Sequence, residues 1–376
     1  MKKNYISALA VLACVAVFCT ISGNSFHQMR TATEEIIPGE GVTEVRMLSD
    51  YFPDLAGTAG DTQIYVLQGE QEGGSCLILG GTHANELSGH MGAVLFVENA
   101  KVEAGTLYVI PRTNNSAFTH NDPQEGHPST VHITTDEGNV REFIHGSRAT
   151  NPVDQWPDPD VYVNYMGQSL SGSENRNINR TYPGKADGTL TEMMSYGIVQ
   201  LINTENIDVT VDLHEASPEY PVINALIAHE RAMNLASNVV VDMQMEGVQI
   251  SLEPSPTDLR GLTHRELGDH TDTLALLMEA PNPAQGRLRD RTDEALVLTG
   301  KSETYVKAGE IGQLYVPYDE NGWPIEVRCA RHVFGIERIL ANYSEMYEEP
   351  IIVTGMPSYD ELVKNGMGPY LNEPTT

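Results

Sequence analysis

An α/β fold, with a central mixed, largely parallel sheet flanked by helices, is predicted by three features of this sequence. Short apolar runs rich in β-branched residues alternate with longer stretches of helical spacing. Gly80 and Gly81 close one such run at its C-terminal end, as a sharp strand-to-helix turn requires. His214 and Glu279 each stand at the end of another run, where open α/β sheets place their ligands.

The elements follow in order. Lys2 and Lys3 precede an apolar run from Tyr5 to Ile21, broken only by Ser7 and Thr20 and followed by Ser22, Gly23, Asn24 and Ser25. This reads as a targeting segment over residues 1–28, either a cleaved signal peptide or a retained membrane anchor, and it implies export. A polar leader then gives way to strands expected at 63–67, 76–79, 106–111, 207–213 and 274–278. Helices are expected at 86–99, where Leu87, Met91, Val94, Leu95 and Val97 fall near helical spacing, and at 191–203, 230–247 and 331–347. Residues 113–176 lack periodicity and are rich in Asn, Pro, Gly and His, so they form a long excursion that serves as a lid or pocket wall. Residues 309–376 either complete the domain or form a small appendage.

Composition sets outer limits on function. The 376 residues carry a net charge of −29, which argues against a nucleic-acid partner because affinity there comes from Lys and Arg on phosphates. Of the four cysteines, Cys14 and Cys19 lie in the targeting segment, leaving Cys76 and Cys329, so no disulfide framework is present. Those two either pair or remain buried thiols. Without a Cys-x-x-Cys, any zinc site must be built from His and carboxylates.

His83 and Glu86 form a His-x-x-Glu, whose spacing on a helical turn sends both side chains to one side. His214 ends an apolar run in Asp212-Leu213-His214, and Asp212, two residues back on the strand, either accepts the other ring N–H of a ligating imidazole or faces the same layer for structural reasons. Two imidazoles and a carboxylate leave zinc a position for water, the arrangement of a catalytic site. Glu279, emerging from the run 274–278, supplies the proton acceptor and donor that hydrolysis needs. Asn179 and Arg180 offer a neutral donor and a planar fork suited to a carboxylate. Taken singly these are a surface pair, a hydrogen-bonded strand-end histidine, a salt-bridged acid and a turn arginine. A further mixed set, His120, Asp122, Glu125 and His127, is better read as a polar loop than as a second metal site.

Together, in this order, the motifs resemble the succinylglutamate desuccinylase/aspartoacylase family within the zinc carboxypeptidase clan. Gly80-Gly81-Thr82-His83-Ala84-Asn85-Glu86 is similar to its Gly-Gly-Thr-His-Gly-Asn-Glu, and Asn179-Arg180 is similar to the end of its Asp-Leu-Asn-Arg. Asp212-Leu213-His214 resembles its Asp-Leu-His, and the segment from Glu279 to Arg289 resembles the stretch opening on the catalytic Glu. Ala84 and Asn177 depart from the family's usual Gly and Asp. The resemblance implies a zinc carboxypeptidase-like fold and residues 29–308 as the zinc hydrolase catalytic domain. It implies one Zn2+ on His83, Glu86 and His214, Glu279 as general base and acid, and Asn179 and Arg180 on the substrate carboxylate. It also implies an arginine that polarises the scissile carbonyl, for which Arg176 is the nearest candidate, with Arg148 and Arg112 behind it. The expected activity is hydrolysis of an amide in an N-acyl amino acid or similar small carboxylate-bearing substrate. The alternative is an exported carboxypeptidase acting on peptides or cell-wall stem peptides.

Overall fold

The computed structural model describes residues 2–122, 127–289 and 291–374. The chain opens on α1 (Lys2–Thr31), whose stretch Asn4–Thr31 is long and apolar enough to cross a membrane and is not buried against the rest of the protein. Its last turn meets the domain, where Arg30 pairs with Asp154 at 2.7 Å. The leader that follows is stitched into the fold rather than hanging from it. Glu34 is buried against His90 at 2.5 Å and accepts the Ile144 N–H, while Gly39 donates to the Val97 carbonyl.

The strands come next: β1 (Glu44–Met47), β2 (Gln63–Gln68), β3 (Gln71–Leu79) and β4 (Lys101–Ile110), with α2 (Leu87–Asn99) between the last two. Two hairpins occupy the long excursion, β5 (Thr130–Thr134) with β6 (Val140–Ile144), and β7 (Val161–Val163) with β8 (Ser169–Ser171). Then follow α3 (Leu190–Glu205), β9 (Val209–Ala216), β10 (Ala225–Ala228), α4 (Met233–Met245), β11 (Ser251–Pro254), α5 (Thr263–His270) and β12 (Leu274–Pro281). The chain closes through α6 (Glu294–Thr299), α7 (Glu303–Glu310), α8 (Ile325–Tyr347), β13 (Ile352–Thr354) and α9 (Tyr359–Asn365).

Nine strands form one mixed sheet in the order β1-β2-β4-β3-β9-β12-β10-β11, with β13 beside the start of β4. Its centre, β4-β3-β9-β12, is parallel throughout, and antiparallel pairs lie outside it. The predicted α/β sheet is therefore observed, and the five expected strands fall at β2, β3, β4, β9 and β12. Edge and near-edge strands β1, β10, β11 and β13 are three or four residues each, too short to show a period in sequence. The helix expected at 331–347 starts earlier, at Ile325, directly after Pro324.

Alternation along the strands divides two cores. Ile78, Leu213, Leu276 and Met278 face one side, with Val94 of α2, Val239 of α4 and Ile336 of α8. Leu77, Leu79 and Ala275 face the other, with Ile198 and Leu201 of α3 and Leu267 of α5. Helix α3 is well delimited: Thr189 and Glu192 form a capping box at its start, and Asn206 closes it in the left-handed region at φ 53°. Cys76 and Cys329 are buried free thiols. Residues near the end of the chain join the same core, since α8 packs on α2 and the Asn372 N–H binds Glu98 of α2 at 2.7 Å.

Two glycines set where the top of the sheet meets α2. Gly81 turns the chain after β3 at φ +62°, a conformation that L side chains rarely adopt. Gly89 lets α2 lie directly on β9, for a Cβ there would come within 2.3 Å of the Leu213 carbonyl oxygen. Because Glu86 immediately precedes α2 and His214 follows Leu213, this close approach also sets the spacing of those two side chains. Gly89→Ala is expected to cost about 1–3 kcal/mol of stability by overpacking and to weaken metal binding in parallel, as read by thermal unfolding with and without added zinc.

Candidate metal centre and cavity

The tip of β3 and the C-terminal ends of β9 and β12 bring four predicted residues together, His83, Glu86, His214 and Glu279. His83 and Glu86 lie in the turn before α2, closed by the Glu86 N–H donating to the His83 carbonyl at 3.0 Å, rather than within the helix itself. His214 and Glu279 are register partners on adjacent parallel strands, so their side chains stand side by side on one face. The rings of His83 and His214 are 4.8 Å apart, and one ligand atom each from His83, Glu86 and His214 lies within 4.8 Å of the others. Among the described residues this is the one such cluster of three or more His, Cys, Asp or Glu.

The hydrogen bonds fix which nitrogen of each ring is free for a metal. Asn177 donates from Nδ2 to Glu174 at 2.8 Å, so its Oδ1 is the atom facing His83. That oxygen accepts the His83 Nε2–H at 2.9 Å and the Asn179 N–H at 3.1 Å. With the proton on Nε2, the His83 Nδ1 lone pair points at Glu86 Oε1, 2.7 Å away. His214 is oriented alike: its Nε2 meets Asp212 at 2.8 Å, and its Nδ1 is 2.9 Å from Glu86 Oε2. Asp212 is itself held by the Thr82 hydroxyl at 2.6 Å. The role of ring-orienting acceptor is thus taken by an amide on one side and a carboxylate on the other.

Electrostatics follow from that enclosure. Burial, and after it the Arg148 cation, push His83 down to about 4, so it is neutral near pH 7. Burial works against a charge on His214, but Asp212 and Glu86 overcome it and hold its pKa well above the usual value. For Glu86 burial opposes ionisation, yet the two imidazoles prevail and hold the carboxyl well below its ordinary range. Burial raises Glu279 to about 8, with His214 opposing. Its Oε2 is shielded from solvent and has no hydrogen-bond partner.

Such a donor set fits a divalent cation. Two imidazole Nδ1 atoms and a carboxylate converge in a buried spot, the Nε2 edge of each ring is held from behind, and an unpartnered carboxylate oxygen stands alongside.

A cavity of about 440 Å³ opens over this centre, and His83, Glu86, Asn179, Arg180, His214 and Glu279 all line it. The Oδ1 of Asn179 is tied to the N–H and hydroxyl of Thr263 at 2.8 and 3.0 Å, which leaves its NH2 as the free end. Arg180 is 19% exposed and is steadied by its bond to the Asn179 carbonyl at 2.6 Å and by Glu174 at 3.7 Å.

Arg176 is placed elsewhere. Its guanidinium grips Asp158 with two bonds at 2.7 and 2.9 Å and the Thr150 carbonyl with a third, leaving no reach toward the centre. Arg112 stacks on Phe118 beneath the excursion. Of the three candidates for the carbonyl, Arg148 is the one that lines the cavity, 44% exposed, with Nη1 3.5 Å from Glu86. Residues 146–147 run beside the metal loop, Gly146 donating to the Ala84 carbonyl and Ala84 to the Ser147 carbonyl, and this delivers Arg148. Nothing in local spacing marks Arg148, because it lies within the aperiodic excursion. Gln285 bonds the Asn85 carbonyl at 2.6 Å from the far wall, and although it lies within the segment opening on Glu279, its spacing assigns it no role.

The loop set does not form a second centre among the described residues: Asp122 accepts the Ser147 hydroxyl at 2.9 Å, and Glu125 lies outside them.

No family model matches this chain, and no curated protein matches it. Its fold is similar to several solved structures. A succinylglutamate desuccinylase from Silicibacter sp. TM1040 aligns at 16% identity over 76% of this chain and 61% of that one, with TM-score 0.42. A metallo-carboxypeptidase from Burkholderia cenocepacia aligns at 13% identity over 81% and 65%, TM-score 0.45. A product-bound cell shape determinant protein from Helicobacter pylori aligns at 13% identity over 80% and 59%, TM-score 0.45. The alignments thus span 59% to 65% of the length of these three chains.

The raised His214 pKa fixes the sign of a pH effect. Near pH 7 the ion-free imidazole holds a proton that a cation must displace, so zinc binding is expected to release protons and to tighten as pH rises toward that pKa. Calorimetry in buffers of different ionisation enthalpy measures the release, and a proton count of zero contradicts it. Asp212→Asn is expected to weaken zinc binding roughly 10–100-fold.

Proposed function

We propose that this protein is a zinc-dependent amide hydrolase acting on a substrate with a free carboxylate, such as an N-acyl amino acid. The observation that carries the reading is the side-by-side placement of Glu279 and His214 on neighbouring strand ends, at the mouth of a buried His83, Glu86 and His214 cluster. Two nitrogens and one carboxylate suit zinc among the common divalent ions. When bound there, the ion supplies Lewis acidity, lowering the pKa of a coordinated water and polarising a carbonyl.

The chain's own residues supply the remainder. Glu279 accepts a proton from the attacking water at its carboxylate and returns it to the nitrogen of the departing amine. Its cavity position, beside an otherwise apolar floor, makes a carboxylate of elevated pKa suited to both transfers. Arg148 donates to the carbonyl oxygen as negative charge builds there, the part for which the resemblance points first to Arg176. Arg180 and the NH2 of Asn179 hold the substrate carboxylate and fix the scissile bond against Glu279. The four-motif resemblance to the desuccinylase/aspartoacylase family supports the same roles.

The apolar helix α1 supports action outside the cytoplasm, with the domain either anchored or released. That placement favours the second reading, an exported carboxypeptidase acting on peptides, which uses the same machinery. A panel of N-acyl amino acids against short peptides separates the two.

Glu279→Gln is expected to keep zinc at full stoichiometry while losing roughly 10²–10⁴ in kcat. Arg148→Met is expected to lower kcat far more than Arg176→Met does. Unchanged turnover in the Glu279 variant contradicts the assignment, and equal losses in the two arginine variants contradict the role of Arg148.

A further inference from the structure

Strand register lays out the cavity floor beyond the metal cluster. On the face that carries His214 and Glu279, the next row toward the starts of β9 and β12 is Asp212, Leu277, Ile227 and Glu253, register partners across β9, β12, β10 and β11. Leu277 and Ile227 pack together with Ala225 and Val222 in a small apolar cluster separate from both main cores. Leu259 and Leu262 add apolar surface to the same cavity. At the sheet edge, Glu253 is half-buried and lines the cavity, and its carboxylate has no hydrogen bond or ion pair among the described residues. Moving outward from the metal cluster, the surface therefore runs from general base to aliphatic floor to an unpaired carboxylate.

The cations around the cavity are already engaged. Arg148 stands beside Glu86, and Arg180 beside Asn179 is the carboxylate clamp of the proposed function. The nearby arginines of α5 and the turn before it are committed to acids, Arg260 to Glu266 and Asp269, and Arg265 to Glu230 and Asp269. A second carboxylate on the substrate would meet Glu253 without a compensating cation. An aliphatic stem ending in an ammonium or guanidinium would bury its methylenes on Ile227 and Leu277 and pair its head with Glu253. Two strand steps separate Leu277 from Glu253, roughly 10 Å, a span that such a side chain and the glutamate can cover jointly.

We infer that the amine half of the substrate is a basic amino acid of the lysine or ornithine type, selected by Glu253 at the end of the Leu277 and Ile227 floor. The inference rests on the amide-hydrolase reading for its orientation, with the α-carboxylate on Arg180 and the side chain running across the sheet toward β11.

The test uses the zinc-loaded full chain and one acyl group carried on lysine, ornithine, norleucine and glutamate. The expected order in kcat/KM is lysine or ornithine above norleucine by about ten-fold or more, with glutamate lowest. Glu253→Gln is expected to bring the lysine-to-norleucine ratio close to one, and Glu253→Lys to move the preference toward glutamate. Calorimetry of free lysine against free norleucine provides a readout independent of turnover. Hydrolysis with norleucine equal to or above lysine, or a ratio that Glu253→Gln leaves unaltered, overturns the inference and leaves the hydrolase reading standing. Tighter binding of lysine that Glu253→Gln abolishes, with no hydrolysis of any panel member, upholds the subsite and overturns the hydrolase reading.

Discussion

Everything at the top of this sheet depends on two imidazole Nδ1 atoms held on either side of one carboxylate. Neither ring chooses its orientation by itself. Asn177 and Asp212 hold the Nε2 edges from behind, at 2.9 and 2.8 Å, so that both Nδ1 atoms turn inward to Glu86. An arrangement of this kind is unfavourable for a chain without a ligand, since it gathers a carboxylate and basic nitrogens out of water. The burial of all three side chains, with their outer edges held by hydrogen bonds, is the physical argument for a cation between them. Burial raises the pKa of Glu279, whereas the Asp212 and Glu86 carboxylates raise that of His214 against burial.

The scaffold answers to that constraint. Gly89 allows α2 to touch β9, Gly81 lets the chain turn off β3, and the excursion returns along the metal loop so that Arg148 reaches the cavity. Behind the cluster, Glu215 holds the fully buried Arg328 of α8 and also accepts from Asn282 at 2.9 Å. The residue next to His214 is thereby tied both to the far helix and to the segment after β12. Charge is thus neutralised in layers around the centre, although the protein as a whole carries −29.

How much of this was legible in the sequence differs by element, for physical reasons. The central strands announced themselves because burial on both faces makes them continuous apolar runs, and the residues at their ends are the ones the sheet presents to a ligand. His83, Glu86, His214 and Glu279 could therefore be picked out and are brought together. Arg176 seemed the natural carbonyl partner because it is close in sequence to Asn179 and Arg180, but proximity along the chain gave way to Asp158, which claims its guanidinium. Arg148 was obscured because its placement depends on a backbone pairing between distant segments, which leaves no local signature. Glu253 was hidden for a similar reason, since four-residue strands β10 and β11 carry no readable period and only register reveals what stands beside Ile227.

The most direct test of the central claim is anomalous diffraction from crystals of the zinc-loaded protein, recorded on both sides of the zinc absorption edge. One peak is expected among His83 Nδ1, His214 Nδ1 and the Glu86 carboxylate, at the roughly 2.0–2.2 Å separations of zinc to nitrogen and oxygen. Full zinc occupancy at a different set of side chains, or no anomalous density between these three, would contradict it.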